Sequence, residues 1–132
     1  MVKPRTLIIG IPGLSVNIID ILSDLNIMNT LDIIKKNGVY GPITSVFPTL
    51  TPTVWASLLT GTYPKKHGIL DHCIVNGRFK RTVTWRDMKV QPFFKGLSNN
   101  YSVKINLIGV PLTMPPPPIN GIVISGYADS RE

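Results

Sequence analysis

The order of elements near the start of the chain is the feature that most constrains its fold. Residues 6–10, TLIIG, form a short and mostly apolar run, which a Pro12-Gly13 turn follows. Such a run is typical of a buried strand in a parallel sheet. Ser15 then precedes apolar residues at helical spacing, and a hydroxyl at that position is typical of a helix N-cap. A strand, a turn and a helix in this order predict an α/β fold.

Caps and breakers place the other helices. The clearest start is Thr51 followed by Pro52, a hydroxyl at the N-cap and proline at the first helical position, with Gly61 ending the helix. Lys35 and Lys36 fall in the last turn of an earlier helix, where cations are favourable. The predicted helices cover residues 16–25, 29–36, 52–60 and 91–98.

The strand predictions rest on β-branched and alternating residues. Pro42 lies inside the segment 39–46 and indicates an edge strand or a bulge. Asn76-Gly77 between two short runs is typical of a hairpin turn. The predicted strands cover residues 6–10, 39–46, 73–75, 78–80, 101–110 and 119–125. Residues 63–72 are predicted to be a loop, and the four prolines at 115–118 an extended loop.

Composition narrows the class of protein. The chain has 132 residues, enough for one domain, and 43% of them are hydrophobic, which excludes a disordered tail. A single cysteine, Cys73, excludes an internal disulfide and a cysteine-based zinc finger, and it fits a reducing compartment. The apolar run near the start is too short for a signal peptide and no stretch is long enough to span a membrane. We therefore expect a cytoplasmic protein with no membrane partner.

Positive charge is concentrated in one segment. The chain carries a net charge of +7, and residues 65–89 hold seven basic and two acidic side chains. Such a patch binds nucleic acid or a phosphorylated ligand, or else is only a solvated surface. The sequence contains no aromatic-interleaved recognition motif and no zinc-finger spacing, so nucleic acid is not an expected partner.

The segment around Thr51 is the most informative for chemistry. At the start of a helix, free N–H groups and the positive end of the dipole stabilise an oxyanion or a phosphate. An alkoxide nucleophile needs that environment, normally with a metal as well. The alternative interpretation is that Thr51 only caps the helix.

Residues 48–69 resemble the nucleophile segment of type I phosphodiesterases and nucleotide pyrophosphatases, in the alkaline phosphatase superfamily. The pattern of that family reads roughly Pro-x-x-Thr-x-Pro-x-Trp-x-Ser-x-x-Thr-Gly-x-x-Pro-x-x-His-Gly-Ile. This chain has the matching residues Pro48, Thr51, Trp55, Ser57, Thr60, Gly61, Pro64, His67, Gly68 and Ile69. The family proline two places after the nucleophile is Thr53 here, and Pro52 stands one place earlier. A second similar run follows at 109–116, with Asn120-Gly121 and Ser125-Gly126 after it.

The resemblance implies a truncated alkaline-phosphatase-like sandwich, with a mostly parallel sheet flanked by helices. Residues 1–132 would form a single N-terminal portion of a phosphodiesterase-like domain. It also implies hydrolysis of a phosphodiester or pyrophosphate bond by two divalent metals, typically zinc, with a small phosphoester or a nucleotide as substrate. By the same likeness Thr51 would be the nucleophile that attacks phosphorus, and a metal ligand where a site assembles.

Two departures from the family pattern bear on activity. The family motif Gly-x-Asp-Gly, whose aspartate binds metal, reads Gly10-Ile11-Pro12-Gly13 here, and proline has no side chain that coordinates. The remaining family ligands lie downstream of Glu132. We therefore expect a fragment or degenerate form that has weak or no activity alone and binds metal weakly or not at all. A truncated sheet also leaves an edge exposed, which predicts a homo-oligomer or a second subunit that covers it.

Other candidate residues have simpler interpretations. His67 matches a family position but is expected to be a turn histidine bonded to the backbone, and His72 to be a surface residue. Cys73 is expected to be a small buried hydrophobe. Ser125 lacks the flanking glycines of a nucleophile turn and is expected to end a strand. The competing functional hypotheses are a phosphodiesterase-like protein, a non-catalytic module that binds phosphorylated ligands or nucleic acid through residues 65–89, and a truncated reading frame.

Overall fold

The computed structural model describes residues 5–126, which fall into two compact units, Met1–Thr44 and Ser45–Glu132. The first unit holds two helices, α1 (Val16–Asp24) and α2 (Asn29–Asn37). As predicted, Ser15 caps α1, because its side chain accepts a hydrogen bond from the Ile18 N–H at 3.3 Å. Local sequence also marks the end of α2, where Lys35 and Lys36 lie in the last turn as predicted.

A polar cluster joins the two helices of the first unit. Lys35 pairs with Asp20 at 2.9 Å, and the Tyr40 hydroxyl donates to the same carboxylate at 3.0 Å. The Lys35 ammonium also lies 4.3 Å from the centre of the Tyr40 ring. None of residues 5–44 is buried, so this polar cluster and partly covered apolar side chains are what hold the unit together.

The two strands predicted before residue 47 are wrong. Residues 6–10 and 39–46 form no strand, and Leu7 and Ile43 are 82% and 93% exposed. A strand is stable only when a neighbour accepts its N–H groups, and the first unit offers only helices. Pro42 further removes one donor from the second segment.

The second unit begins with α3 (Thr51–Thr60), which Gly61 ends in the left-handed conformation, and continues with a short helix, α4 (Pro64–His67). The prediction of a loop over 63–72 is therefore wrong at α4, where Pro64 presets the first turn. The strands β1 (Cys73–Asn76) and β2 (Phe79–Thr82) form the predicted hairpin, with Gly77 and Arg78 as the turn, one residue later than expected. A 3₁₀ turn (Trp85–Asp87) and α5 (Phe93–Tyr101) follow.

The last two strands, β3 (Leu107–Val110) and β4 (Val123–Ser125), pair in parallel. They occupy only the ends of the segments predicted as strands, and the prolines between them form no helix or strand. The α/β class is confirmed as a mixed arrangement of short helices and strands. The mostly parallel sheet is not confirmed, because one two-stranded sheet is antiparallel and the other parallel.

The core of the second unit has two parts. Ala56, Ile69, Val83 and Leu112 form one cluster, and Leu59, Trp85, Phe94 and Leu107 form the other. Trp55 and Met88 pack against both. Since Ala56 and Leu59 belong to α3, burial of one side of this helix fixes the segment that resembles the nucleophile motif. No helix of the described residues is long and apolar enough to cross a membrane.

Candidate functional site

The start of α3 differs by one residue from the prediction. Leu50 is the N-cap, in an extended conformation, and Thr51 is the first helical residue with Pro52 after it. The Leu50 side chain has no polar atom, so no side chain caps this helix. Thr51 is therefore not a cap, which removes the simplest structural explanation for a hydroxyl at this position.

Backbone donors remain free at this helix start. The first helical hydrogen bond runs from the Val54 N–H to the Leu50 carbonyl at 2.9 Å, and Pro52 has no N–H. Among the residues that the structure describes, no acceptor is bonded to the N–H of Thr51 or Thr53. Thr53 is fully buried, so the N–H of the exposed Thr51 and the helix dipole are what favour an anion at this end of α3.

The two threonines of this turn have different surroundings. Thr51 is exposed, whereas Pro52 and Thr53 are buried and anchor the turn in the core. The Thr53 hydroxyl is fully buried and has no hydrogen-bond partner within residues 5–126. Sequence reasoning noted Thr53 only as the residue in place of the family proline. A buried hydroxyl without a hydrogen-bond partner destabilises the folded state, so the unpaired Thr53 hydroxyl is an unusual feature of this turn.

A chain of hydrogen bonds links α3 to α4. The Ile69 N–H donates to His67 Nδ1 at 3.1 Å, which leaves the proton of a neutral imidazole on Nε2. Nε2 lies 2.9 Å from the Ser57 hydroxyl oxygen, and that hydroxyl donates to the Thr53 carbonyl at 3.0 Å. His67 thus binds the backbone of its own turn, as the sequence predicted. The partner Ser57 was not predicted, although both residues match the family pattern.

This arrangement makes stability depend on pH. Burial lowers the pKa of His67 below its ordinary value of 6.5. The unfolded chain therefore binds more protons than the folded one at acid pH, so the contribution of neutral His67 is complete above 6.5 and is lost as pH falls through the folded value. We expect the urea midpoint of the parent protein to fall between about pH 7.5 and about pH 5, and the fall to be smaller in His67→Gln.

The control for this prediction is the exposed histidine. His72→Gln removes an imidazole of the same type that makes no buried contact, so it should leave the pH profile unchanged. An NMR titration that placed the pKa of His67 above 6.5 would contradict the prediction.

Carboxylates of the second unit are few and engaged. Asp87 receives bidentate hydrogen bonds from Arg81, and that guanidinium lowers the pKa of the carboxyl. Asp87 also caps its own turn through the Thr84 N–H at 2.9 Å. Asp71 and His72 are adjacent and exposed, and Cys73, next along the chain, is half-buried at the start of β1.

A two-metal centre needs about six carboxylate and imidazole ligands. Nowhere in residues 5–126 do three or more His, Cys, Asp or Glu side chains come together as a group that could hold a metal ion. His67 has both ring nitrogens occupied, and Pro12 lies in a turn of the first unit. The residues of this part of the chain do not fit a two-metal centre. Ser125 ends β4 and donates to the Thr113 carbonyl at 2.8 Å, which agrees with its interpretation as a strand end.

Comparison with known proteins supports the family resemblance. The family model described as type I phosphodiesterase / nucleotide pyrophosphatase matches residues 6–109, most of the chain. The match includes α3, α4 and the turn that carries Pro12. No curated protein and no solved structure shows a significant match to this sequence.

Proposed function

Since this chain belongs to the type I phosphodiesterase and nucleotide pyrophosphatase family, we propose that it is a phosphoester-hydrolase-like protein that retains Thr51 at the nucleophile position. Its form is that of the N-terminal portion of the family domain, residues 1–132, truncated or degenerate, with weak or no activity alone. The substrate class is a small phosphoester or a nucleotide, and the site of action is cytoplasmic.

The observation that carries this proposal is the position of Thr51. Its hydroxyl is exposed at the first turn of a ten-residue helix, and the N–H of the same residue has no acceptor among the described residues. A phosphoryl group bound there would receive hydrogen bonds from the same turn that presents the hydroxyl. This position supports Thr51 as the residue that would attack a phosphorus atom held at the helix start.

The low activity follows from what surrounds that hydroxyl. A threonine hydroxyl is a weak nucleophile until a base or a metal removes its proton. Within the part of the chain that the structure describes, the Thr51 hydroxyl has no hydrogen-bond partner, and His67, the buried histidine of this unit, is bonded to Ser57 and Ile69 instead. Pro12 replaces the family aspartate that would help to bind metal.

Divalent metal binding, zinc in the family pattern, would then need ligands from another chain. We propose that a second copy or a second subunit supplies them while it covers apolar surface that this chain leaves exposed. The first unit supports this, because none of its residues 5–44 is buried and Ile8, Ile21 and Ile33 are each about 60% exposed. Surfaces of this kind are typical of interaction sites.

The test is hydrolysis of a chromogenic phosphodiester by the purified chain, with zinc or manganese added in increasing amounts. We expect slow, metal-dependent turnover that Thr51→Ala reduces to the buffer rate, because the attacking oxygen is lost. Thr51→Ser keeps that oxygen and should retain turnover. Thr49→Ala changes an exposed threonine two residues earlier and should have no effect. Turnover that survives Thr51→Ala would contradict the role of Thr51, and no turnover at any metal concentration would leave a non-catalytic protein.

A second candidate function has its own observation. Most of the net charge lies in the second unit, because residues 45–132 contain ten basic and four acidic side chains, whereas residues 1–44 contain four basic and three acidic ones. This asymmetry favours a non-catalytic module that binds phosphorylated ligands or nucleic acid through residues 65–89.

A further inference from the structure

We propose that the surface around α4 binds single-stranded nucleic acid, with Tyr63 stacking on a base and Lys65, Lys66 and Lys89 contacting the phosphates. This inference deepens the binding alternative by naming its ligand. It does not depend on hydrolysis by Thr51.

The three lysines form no ion pair with any acidic side chain of residues 5–126. Lys65 and Lys66 lie on α4, and the Lys89 N–H donates to the carbonyl of His67 in that helix at 2.9 Å. The aliphatic stem of Lys89 packs over Gly68, where a Cβ would come within 3.1 Å of it. Lys89 is therefore fixed beside the end of α4, the helix that carries Lys65 and Lys66.

The acids of this unit do not neutralise that group. Asp87 is taken up by Arg81, and no ion pair joins Asp71 to any of the three lysines within residues 5–126. Like charges held together without acids are unfavourable for the free protein, and that repulsion is relieved when a polyanion binds. A chain of phosphates therefore suits this surface better than a neutral ligand.

An aromatic ring lies beside the lysines. Tyr63, Lys65 and Lys66 line an open cleft of about 560 Å³ together with Gly61 and Thr62. The Tyr63 side chain is 77% exposed, yet its backbone is fixed, since its carbonyl accepts the Lys66 N–H at 2.8 Å. An exposed ring next to cations is the arrangement by which proteins stack bases of single strands while their phosphates are neutralised.

The chemistry of the group favours nucleic acid over a phosphopeptide. Recognition of a single phosphoryl group typically uses the planar fork of arginine, whereas these three cations are lysines that act as point charges. A single strand is favoured because only an unstacked base can reach the ring of Tyr63. The sequence indicated nucleic acid only as one alternative ligand of residues 65–89, because the contact of Lys89 with Gly68 and the exposure of Tyr63 depend on the tertiary structure.

The cleft also lies at the opposite end of α3 from Thr51. Ten residues of helix span about 14 Å, which is longer than a single nucleotide. An extended oligonucleotide could thus contact both ends of α3. This link to Thr51, unlike the binding itself, rests on the proposed function.

The binding test uses fluorescence anisotropy of a labelled single-stranded oligonucleotide of about 12 nucleotides, in EDTA so that no hydrolysis occurs. The triple variant Lys65→Gln, Lys66→Gln, Lys89→Gln should lose affinity at least about tenfold, and the slope of log affinity against log salt should fall by about 2. The matched control changes three exposed cations elsewhere, Arg5→Gln, Lys36→Gln and Lys104→Gln, for the same loss of net charge. This control variant should bind the oligonucleotide more tightly than the variant of the three lysines, and it should keep most of the slope of log affinity against log salt.

The ring is tested separately. Tyr63→Ala should weaken binding about tenfold with no change in the salt slope, and Tyr63→Phe should bind like the parent. A variant in which arginine replaces the three lysines preserves the charges and serves as a further control. Circular dichroism melts check that each variant folds. An equal loss of affinity in the two triple variants would overturn the proposal, since it would indicate that binding depends only on the net charge of the protein. It would also be overturned if heparin or anionic vesicles compete as well as the oligonucleotide while Tyr63→Ala has no effect. Displacement by inorganic pyrophosphate alone would overturn the nucleic-acid proposal and leave the small-ligand alternative standing.

Discussion

Gly121→Ala is expected to unfold much of the second unit. Gly121 has a φ of +147°, a conformation that side-chain-bearing residues rarely adopt, and a Cβ there would overlap the backbone of Ile105. The overlap cannot be relieved by a side-chain rotation, because the atoms are the carbonyl and amide of Ile105. Hydrogen bonds on either side, Ile105 N–H to the Asn120 carbonyl and Leu107 N–H to the Ile122 carbonyl, hold the two segments together at 2.8 Å. We expect a loss of about 4 kcal/mol in the free energy of unfolding, measured by urea denaturation.

Gly96→Ala is the matched control for this prediction. Gly96 lies inside α5, has ordinary helical backbone, and nothing stands within 4 Å of the position of a Cβ. Alanine there should stabilise the protein by about 0.5–1 kcal/mol, because it reduces the freedom of the unfolded chain. Similar stability of the two variants would mean that Ile105 and Gly121 do not approach as the structure shows.

Phe94→Ala should have the other large effect. Phe94 is fully buried and belongs to the cluster with Leu59, Trp85 and Leu107, which joins α3, the 3₁₀ turn, α5 and β3. Removing its ring leaves a cavity among elements that cannot all close on it. The expected cost is about 3–5 kcal/mol, a large share of the stability of a small domain. The measurement is the shift of the urea midpoint at constant slope.

The neighbouring phenylalanine provides the comparison. Phe93 is 37% exposed and contacts Phe94 edge-to-face, with 6.2 Å between ring centres. Phe93→Ala should cost about 1 kcal/mol, because it removes that contact but leaves no enclosed cavity. If Phe93→Ala and Phe94→Ala lose equal stability, Phe94 is not the side chain by which α5 packs in the core.

These two predictions matter for the site as well as for the fold. Leu59 and Phe94 share a cluster, so the packing of α5 holds the buried side of α3 in place. The exposed side of α3 carries Thr51 at one end and leads to Tyr63 beyond the other. A variant that loosens this cluster should therefore weaken both the hydrolytic and the binding tests, which is why each of them requires a check of folding.

The sequence predicted helices better than strands. Ser15 at a cap, Lys35 and Lys36 in a last turn and Gly61 after a helix all act within a few residues of the element that they mark. Strands depend on a partner that is distant in sequence, so the run at residues 6–10 and the segment 39–46 were predicted as strands but form none. The segments that contain β3 and β4 were predicted as strands, but strand structure forms only at the residues that pair with each other.

The candidate site shows the same division. Thr51, Ser57 and His67 could be picked out by their spacing, since the family pattern is a property of the sequence. Their roles could not, because the Ser57 hydroxyl and His67 Nε2 meet only when α4 turns back on α3, and because the isolation of the Thr53 hydroxyl is a property of the packed core. The one-residue shift of the N-cap to Leu50 likewise changed Thr51 from a cap into an exposed hydroxyl.

The sequence by itself determined the family, four of the five helices, the hairpin and the excess of positive charge, because each depends on residue types and short-range spacing. It also placed Pro12 at the position where the resemblance implies a metal-binding aspartate. Only the tertiary structure decided which strands find partners, which polar groups are buried, and that Lys89 packs over Gly68 at the end of α4. These are contacts between distant parts of the chain, and their free energy exists only once the chain has folded to bring them together.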